Sequence, residues 1–359
     1  MLNTEKFINK IIAEGYTHFC VVPCSFAKDV INASINNNGK IEYLPCASEA
    51  VACSVAAGLK MSGKRPIVIV QSSGITNMGS CITSLLKPYG ITFPIIVSWR
   101  SYKSGDSEIQ HQHLASKLPD LVSSYGYDYV ILDNDNISNA LSQINKSDKS
   151  SQICLLEKSS FSTIELEKKH MLNLSDYTPR SKFLSTLNNK FKETKTLFIG
   201  TTGNTAREMY SFMPNTENFY MAGNMGGALS LGLGVSLSGK SVIVCGGDAE
   251  FVMHMGGLTT AGRYNEMVDL TYILFDNESN KSTGGQNSYQ SHVDYINIAK
   301  SSNINVFDEI VTSLEQFNKV INESLNKPGV KFICVKCGFD NETPRPPLEV
   351  VKINEIQND

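Results

Sequence analysis

Asp248 and Asn277 each stand just past the end of a short apolar run. Ser241–Cys245 (SVIVC) leads into Gly246-Gly247-Asp248, and Leu270–Phe275 (LTYILF) into Asp276-Asn277-Glu278-Ser279. Such runs read as buried strands and the stretch between them as a helix. Both groups would then share the C-terminal edge of one parallel sheet, where ligands bind in open α/β folds. A carboxylate and an amide brought together there suit a hard cation such as Mg²⁺, which takes oxygen ligands and fills its shell with phosphate oxygens and water. The glycines before Asp248 let the backbone approach a diphosphate closely. Strand-end Gly-Asp and Asp-Asn pairs also serve as plain turns, because Asp and Asn hydrogen-bond their own backbone. The pairing of two such ends, one strand–helix–strand unit apart, favours the ligand site.

The elements that would position these groups recur along the chain. In the first half, helical periodicity over Thr4–Glu14 precedes a strand at Phe19–Val22 that ends in Pro23-Cys24-Ser25. A helix near Phe26–Ile35, a strand at Ile41–Tyr43 and a helix over Glu49–Met61 follow. Next come a strand at Pro66–Val70, the turn Ser72-Ser73-Gly74, a helix near Asn77–Leu86 and a strand at Pro94–Trp99. This cadence predicts an α/β fold with a mostly parallel sheet covered on both faces. The polar stretch Glu165–Ser181 interrupts it. It divides the chain into domains over 1–165 and 186–359 with a linker at 166–185. The cadence then resumes with strands at Thr196–Ile199 and Asn218–Met221 and helices at Thr205–Phe212 and Gly226–Leu237.

The two halves also echo one another. EAVACSVAAGLKMSGKRPIVIV at 49–70 resembles MGGALSLGLGVSLSGKSVIV at 225–244, with Ser-Gly-Lys at 62–64 falling on 238–240. Helix, turn and strand keep step, which predicts two similarly built, doubly wound domains. The same offset sets Glu49 on Met225, both in strand-to-helix loops where function gathers.

Composition removes several classes of function. A chain of 359 residues with 41% hydrophobic and 19% charged residues has ample core for two soluble domains. A net charge of −3 leaves no basic footprint for nucleic acid or an anionic membrane. No apolar run approaches bilayer length, and Met1–Lys10 has no signal-peptide core. Nine scattered cysteines fit a reducing cytoplasm, and Cys334-Val-Lys-Cys337 lies on a strand pattern with no second pair nearby, which favours a packing role.

The stretch from Gly247 to Asn277 resembles the thiamine diphosphate motif, Gly-Asp-Gly followed some 25 to 30 residues later by Asn-Asn. Met253–Gly256 (MHMG) and Ser282–Gln286 (STGGQ) are similar to segments of the phosphonopyruvate and sulfopyruvate decarboxylases. The resemblance covers nearly the whole chain. It implies a pyrimidine-binding domain first and a diphosphate-binding domain second, with no middle domain. It also implies thiamine diphosphate and Mg²⁺ as cofactors and a homo-oligomer with active sites at the subunit interface.

Residue by residue, the resemblance implies that Glu49 is the activating glutamate. Its carboxyl would hydrogen-bond the pyrimidine ring and favour the imino tautomer, whose nitrogen removes the thiazolium proton. Without the resemblance, Glu49 reads as a helix-start acid interacting with the dipole. Ser73 and Asn77 match family positions near the cofactor. Met225 would wedge the cofactor into its bent form, and Gly223 and Met225 would hold the aminopyrimidine through their backbones. Thr202-Gly203-Asn204 and Asp248-Ala249-Glu250 would anchor the diphosphate, while Asp248, Asn277 and the Ser279 carbonyl would bind Mg²⁺. Ala249 stands where the motif has glycine, and a positive φ there would be costly.

On the substrate side, Cys24 and Ser25 stand where the family reads Pro-Asp-Ser, so a neutral thiol replaces an acid. Trp99-Arg100 and Gln110-His111 match family positions. Arg100 is a natural fork for a phosphonate or carboxylate, and His111 could relay a proton or be a loop histidine beside His113. His254 reads as structural or near the cofactor. Asn224 and Gly227 replace the family's Ser and His. The implied reaction is decarboxylation of a three-carbon 2-oxo acid bearing a second acidic group, such as phosphonopyruvate. A carboligase using the same chemistry, a sulfopyruvate decarboxylase and a non-catalytic cofactor-binding partner subunit are the alternatives.

Overall fold

The computed structural model describes residues 1–103, 106, 108–338 and 343–346. The end of the second expected domain, over 347–359, lies outside the described residues. The chain divides into two compact units, Met1–Met171 with Asn280–Asn287, and Leu172–Ser279 with Ser288–Asp359.

The first unit carries six strands: β1 (His18–Val21), β2 (Glu42–Pro45), β3 (Pro66–Gln71), β4 (Ile95–Ser98), β5 (Asp128–Ile131) and β6 (Gln152–Leu156). They form one parallel sheet in the order β2-β1-β3-β4-β6-β5. The second unit carries β7 (Leu197–Gly200), β8 (Glu217–Tyr220), β9 (Ser241–Gly247) and β10 (Asp269–Asp276). After the two-residue strands β11 (Ser279–Asn280) and β12 (Gln286–Asn287) come β13 (Asn305–Val306) and β14 (Gly329–Lys336). Its parallel sheet runs β13-β14-β10-β9-β7-β8. Read from the other end, this is the order of the first sheet with β7, β8, β9, β10, β13 and β14 in place of β1 to β6. The internal echo in the sequence is thus a shared topology.

Its turn is shared too. Gly63 and Gly239, at the centre of the two Ser-Gly-Lys triplets, end their helices with φ of +79° and +90°. Their amides return to Lys60 and Ser236 carbonyls at 3.0 Å. Only glycine adopts that left-handed form without strain, which is why both halves keep it before a strand.

Each sheet is buried on both faces, so its strands read as unbroken apolar runs rather than alternating ones. On β3, Ile67 and Ile69 enter one apolar layer while Val68 and Val70 enter the opposite one. On β9, Val242 and Val244 face one layer and Ile243 and Cys245 the other. Cys334 and Cys337 belong to these layers as free thiols, each pushed up to about 12 by burial.

Some boundaries differ from the sequence pattern. The helix expected from Asn77 begins at Gly74, and after Cys81 it continues as a π-helical turn over Ile82–Leu86. A helix over Arg180–Phe191 begins inside the polar stretch that reads as a linker. Arg180 is buried there, donating from Nε and Nη2 to Glu208 at 2.8 Å each. A buried charge needs such a partner, and Glu208 is too distant in sequence to reveal it.

Candidate active site: two half-sites at strand ends

In the second unit, register brings four loops to one sheet edge. Gly200 pairs with Tyr220 and Cys245, and Gly247 pairs with Phe275. The loops after β7, β8, β9 and β10 therefore emerge side by side. Thr202 Oγ1 donates to the Ala222 carbonyl at 3.0 Å, fastening the first loop to the second. Gly203, at φ +94°, turns the chain into the helix Asn204–Phe212, whose first N–H groups are left without intrahelical partners. That is a ready anion site.

Asp248 opens a helix over Asp248–Met253 and is buried. Burial and the neighbouring Asp276 carboxylate push its carboxyl up to about 7, partly offset by a hydrogen bond from Ser288 Oγ at 2.9 Å. Asp276 is itself paired with Lys336 at 2.9 Å, and Lys336 also meets Glu278. Asn277 is buried and accepts from the Ser279 amide at 3.1 Å. Among the described residues no group of three or more His, Cys, Asp or Glu side chains could hold a metal. A metal here would draw on mixed oxygen donors instead, a carboxylate, an amide and a main-chain carbonyl. These donors fit Mg²⁺ when phosphate oxygens complete the shell. The hydroxyl Thr201 Oγ1, on the first residue past β7 at this edge, is buried without a hydrogen-bond partner, as a group awaiting a ligand would be.

Ala249 lies within that helix and is not among the residues of positive φ, so its methyl carries no backbone cost. Met225 is half-buried and stands outside the apolar layers, which suits contact with a bound group. Asn224, at φ +54°, lies close against Gly227. A Cβ on Gly227 would lie 3.0 Å from Asn224 Cγ. His254 is exposed and packs against Gly226, where a Cβ would lie 2.8 Å from its ring, so it braces the Met225 loop. Glu250 is buried, its carboxyl accepting from the Tyr272 hydroxyl; burial pushes it up, and that bond with the facing Ala228 and Gly247 N–H groups counters the effect.

In the first unit, β1 ends at Val21 and leads to Cys24-Ser25, β3 ends at Gln71 and β4 at Ser98, at one edge fixed by Val21 opposite Ile69 and Gln71 opposite Ser98. Glu49 is the first residue of the helix Glu49–Met61, which Ser48 caps by accepting from the Val51 amide at 3.4 Å. The Glu49 carboxylate is 6% exposed and accepts from Asn77 Nδ2 at 2.8 Å. Gly74 lies flat against it, and a Cβ there would fall 2.6 Å from Glu49 Oε1. Ser73 Oγ accepts from Gln71 Nε2 at 2.9 Å, while Ser72 Oγ is buried without a hydrogen-bond partner.

Arg100 does not stand open. Its Nε and Nη2 donate to Asp106 at 2.7 and 3.0 Å, Nη2 meets Glu108 at 3.0 Å, and Nη1 reaches Gln71 at 3.1 Å and Ser25 at 3.4 Å. His111 is buried with Nε2 3.2 Å from Glu108 and 3.4 Å from Gln71. Cys24 is fully buried, its Sγ 2.8 Å from Ser98 Oγ, and burial pushes the thiol up. Arg100, His111 and Ser25 thus form one network, and Cys24 lies beneath it.

Sequence reasoning missed Gln71, Ser72, Asp106, Glu108, Thr201 and Ser288. Ser72 and Thr201 are the first residues past apolar strands, the signal that found Asp248, and could have been found the same way. The others act through partners on separate elements, and no local pattern marks them.

Two family models match the chain, the N-terminal thiamine pyrophosphate-binding domain at residues 3–121 and the C-terminal one at 199–335. The chain is similar to a phosphonopyruvate decarboxylase of Streptomyces viridochromogenes, 26% identical over 98% of this chain and 94% of the relative. It is 27% identical to a sulfopyruvate decarboxylase of Methanosarcina acetivorans, over 79% and 77% of the two chains. It is 34% identical to the beta subunit of a sulfopyruvate decarboxylase of Methanocaldococcus jannaschii, over 40% of this chain and 75% of that subunit. No helix among the described residues is long and apolar enough to cross a membrane. With both cofactor-binding domains matched, one on each six-stranded sheet, the chain belongs to the thiamine pyrophosphate enzyme family.

Proposed function

We propose that this protein is a thiamine-diphosphate-dependent, non-oxidative decarboxylase of a short 2-oxo acid with a second acidic group, phosphonopyruvate-like, releasing CO₂ and an aldehyde. The observation that carries it is the buried Glu49 carboxylate held by Asn77, in a chain whose relatives over most of its length are named phosphonopyruvate and sulfopyruvate decarboxylases. When bound, the cofactor supplies a thiazolium carbon that attacks the keto group and takes up the electron pair left by departing CO₂.

The protein's own residues bind, orient and move protons. Glu49 exchanges a proton with the pyrimidine ring, and its fixed position allows one geometry for that transfer. Ser73 and Asn77 frame it. Asp248, Asn277 and the Ser279 carbonyl hold Mg²⁺, Thr202, Gly203 and Asn204 bind the diphosphate, and Gly223 and Met225 shape the aminopyrimidine seat. Arg100 takes the substrate's second acidic group in exchange for Asp106. His111, on Glu108 and Gln71, returns a proton to the reacting carbon, and Ser25 and Cys24 shape the floor of that network. We assign the pyrimidine domain to 1–165 and the diphosphate domain to 186–359, joined over 166–185. The enzyme works in the cytoplasm as a homo-oligomer.

The test is CO₂ release from phosphonopyruvate, sulfopyruvate and pyruvate, each with thiamine diphosphate and Mg²⁺, alongside aldehyde yield. One acid should give equal CO₂ and aldehyde. Release without matching aldehyde would replace the reading by carboligation, and no release from any acid would overturn it.

A further inference from the structure

We propose that Glu250 is a positioning residue, the buried tie that fixes the metal helix against both β10 and the helix following Met225. The proposal rests on the reading of Asp248 and Met225 as cofactor contacts, and not on which acid is decarboxylated.

Three elements converge on this carboxylate. Gly247 is the N-cap of the helix Asp248–Met253, and Glu250 is its third residue. From there its carboxyl faces the Gly247 N–H, the direction a capping box uses, at the first turn that carries Asp248. The N–H of Ala228, the first residue of the helix Ala228–Ser236 that begins just after the Gly223–Gly227 loop, faces it and favours its charged form. The hydrogen bond itself comes from the Tyr272 hydroxyl in the middle of β10, the strand that ends beside Asn277. Glu250 is 3% exposed and Tyr272 1% exposed. An internal acid that takes a buried phenol as donor is a joint, because the phenol hydroxyl would otherwise be buried unpaired.

The surroundings are shaped to admit Tyr272. A Cβ on Gly246 would lie 2.7 Å from the Tyr272 ring carbon that bears the hydroxyl, so the residue two before Asp248 must be glycine for the phenol to reach Glu250. Phe251, the next residue of the metal helix, stacks parallel to Tyr272 with centroids 6.2 Å apart, and Phe332 on β14 packs against both. The apolar packing would hold the helix near β10 without the carboxylate. What Glu250 adds is its rotation and its link to the Met225 loop, the two quantities that decide where Asp248 and Met225 stand relative to each other.

The experiment measures thiamine diphosphate binding calorimetrically at fixed Mg²⁺ on the full chain and on Glu250→Ala, Glu250→Gln, Tyr272→Phe and Asp248→Ala. Near-UV circular dichroism at the same temperature confirms folding. Glu250→Ala should weaken binding about tenfold or more, since the buried Tyr272 hydroxyl loses its acceptor and the N–H groups of Gly247 and Ala228 lose the carboxylate they face. Tyr272→Phe should weaken it by about threefold, and Glu250→Gln should lie closer to wild type because its amide oxygen keeps an acceptor in place. Folded Glu250→Ala with wild-type affinity overturns the proposal, leaving Glu250 a stability residue only. If that variant does not fold, Tyr272→Phe decides: unchanged affinity overturns the tie. Asp248→Ala separates the two readings. If it binds as wild type, the metal-site assignment fails; if it binds poorly while Glu250→Ala binds well, only the tie fails.

Discussion

Asn77 Nδ2 lies 2.8 Å from Glu49 Oε2, joining the first turns of the helices Glu49–Met61 and Gly74–Cys81. The amide can only donate at that contact, so it steadies Glu49 as an acceptor, while the other oxygen lies against Gly74. Glu49→Gln keeps the shape and removes the exchangeable proton. Turnover should fall by about 10²- to 10⁴-fold, the usual contribution of a general acid–base group, while cofactor affinity changes little. Single-turnover CO₂ release and a binding isotherm check this; wild-type turnover in the variant would remove Glu49 from the chemistry.

Gly74 supplies a second, steric test of the same carboxylate. A methyl there would sit 2.6 Å from Glu49 Oε1, and what must give way is a side chain, not backbone. Gly74→Ala should therefore fold, at a cost of about 1–3 kcal/mol in urea unfolding, and lose kcat more than tenfold. A crystal structure should show the Glu49 carboxylate displaced. Unchanged kcat would mean that its position matters less than its presence.

How much of this was legible in the sequence follows from where each partner lies. The sheets were, because strands buried on both faces are continuous apolar runs and because the Ser-Gly-Lys turn repeats with its left-handed glycine. Asp248 and Asn277 were, since each follows its strand within a few residues. The network around Arg100 was only half visible. A fork free to take substrate was a fair reading of Trp99-Arg100, but Asp106 and Glu108 fill it, and nothing in six or eight residues of loop sequence announces that fold-back. Glu250 was placed near the diphosphate by its neighbours, whereas its orientation is decided by Tyr272, on another strand. Ala249 departs from the glycine of the motif at no backbone cost, because a helix begins one residue earlier.

Asp248 is a buried carboxylate beside a second acid, and a divalent cation would relieve both the burial and the repulsion. Asp248→Ala should weaken Mg²⁺-dependent cofactor binding by about a hundredfold or more, beyond what a residue merely supporting a ligand gives. Chelation of the wild type should reproduce the loss, and added Mg²⁺ should restore it. Cofactor binding indifferent to both chelator and substitution would exclude Asp248 as a ligand.

The sole tryptophan, Trp99, reports on the Arg100 network, since it precedes Arg100 and stacks on Tyr102 with ring centroids 3.5 Å apart. Burial alone would raise the Asp106 carboxyl, but the hydrogen bonds from Arg100 and from the Ser101 N–H, with the charge of the guanidinium, hold it at about 2. Because the folded value lies below the ordinary carboxylate value near 4, the pair's contribution to stability is complete above about pH 4 and is lost as pH falls through about 2. Trp99 emission should stay constant from neutral pH down to about 4 and change below it, as Arg100 loses its partner. In Asp106→Asn the same emission should already be altered at neutral pH, with far-UV circular dichroism unchanged, and the acid step should vanish. An acid step of equal size in that variant would assign the transition to another carboxylate and leave the Arg100–Asp106 pair without an effect on the local structure.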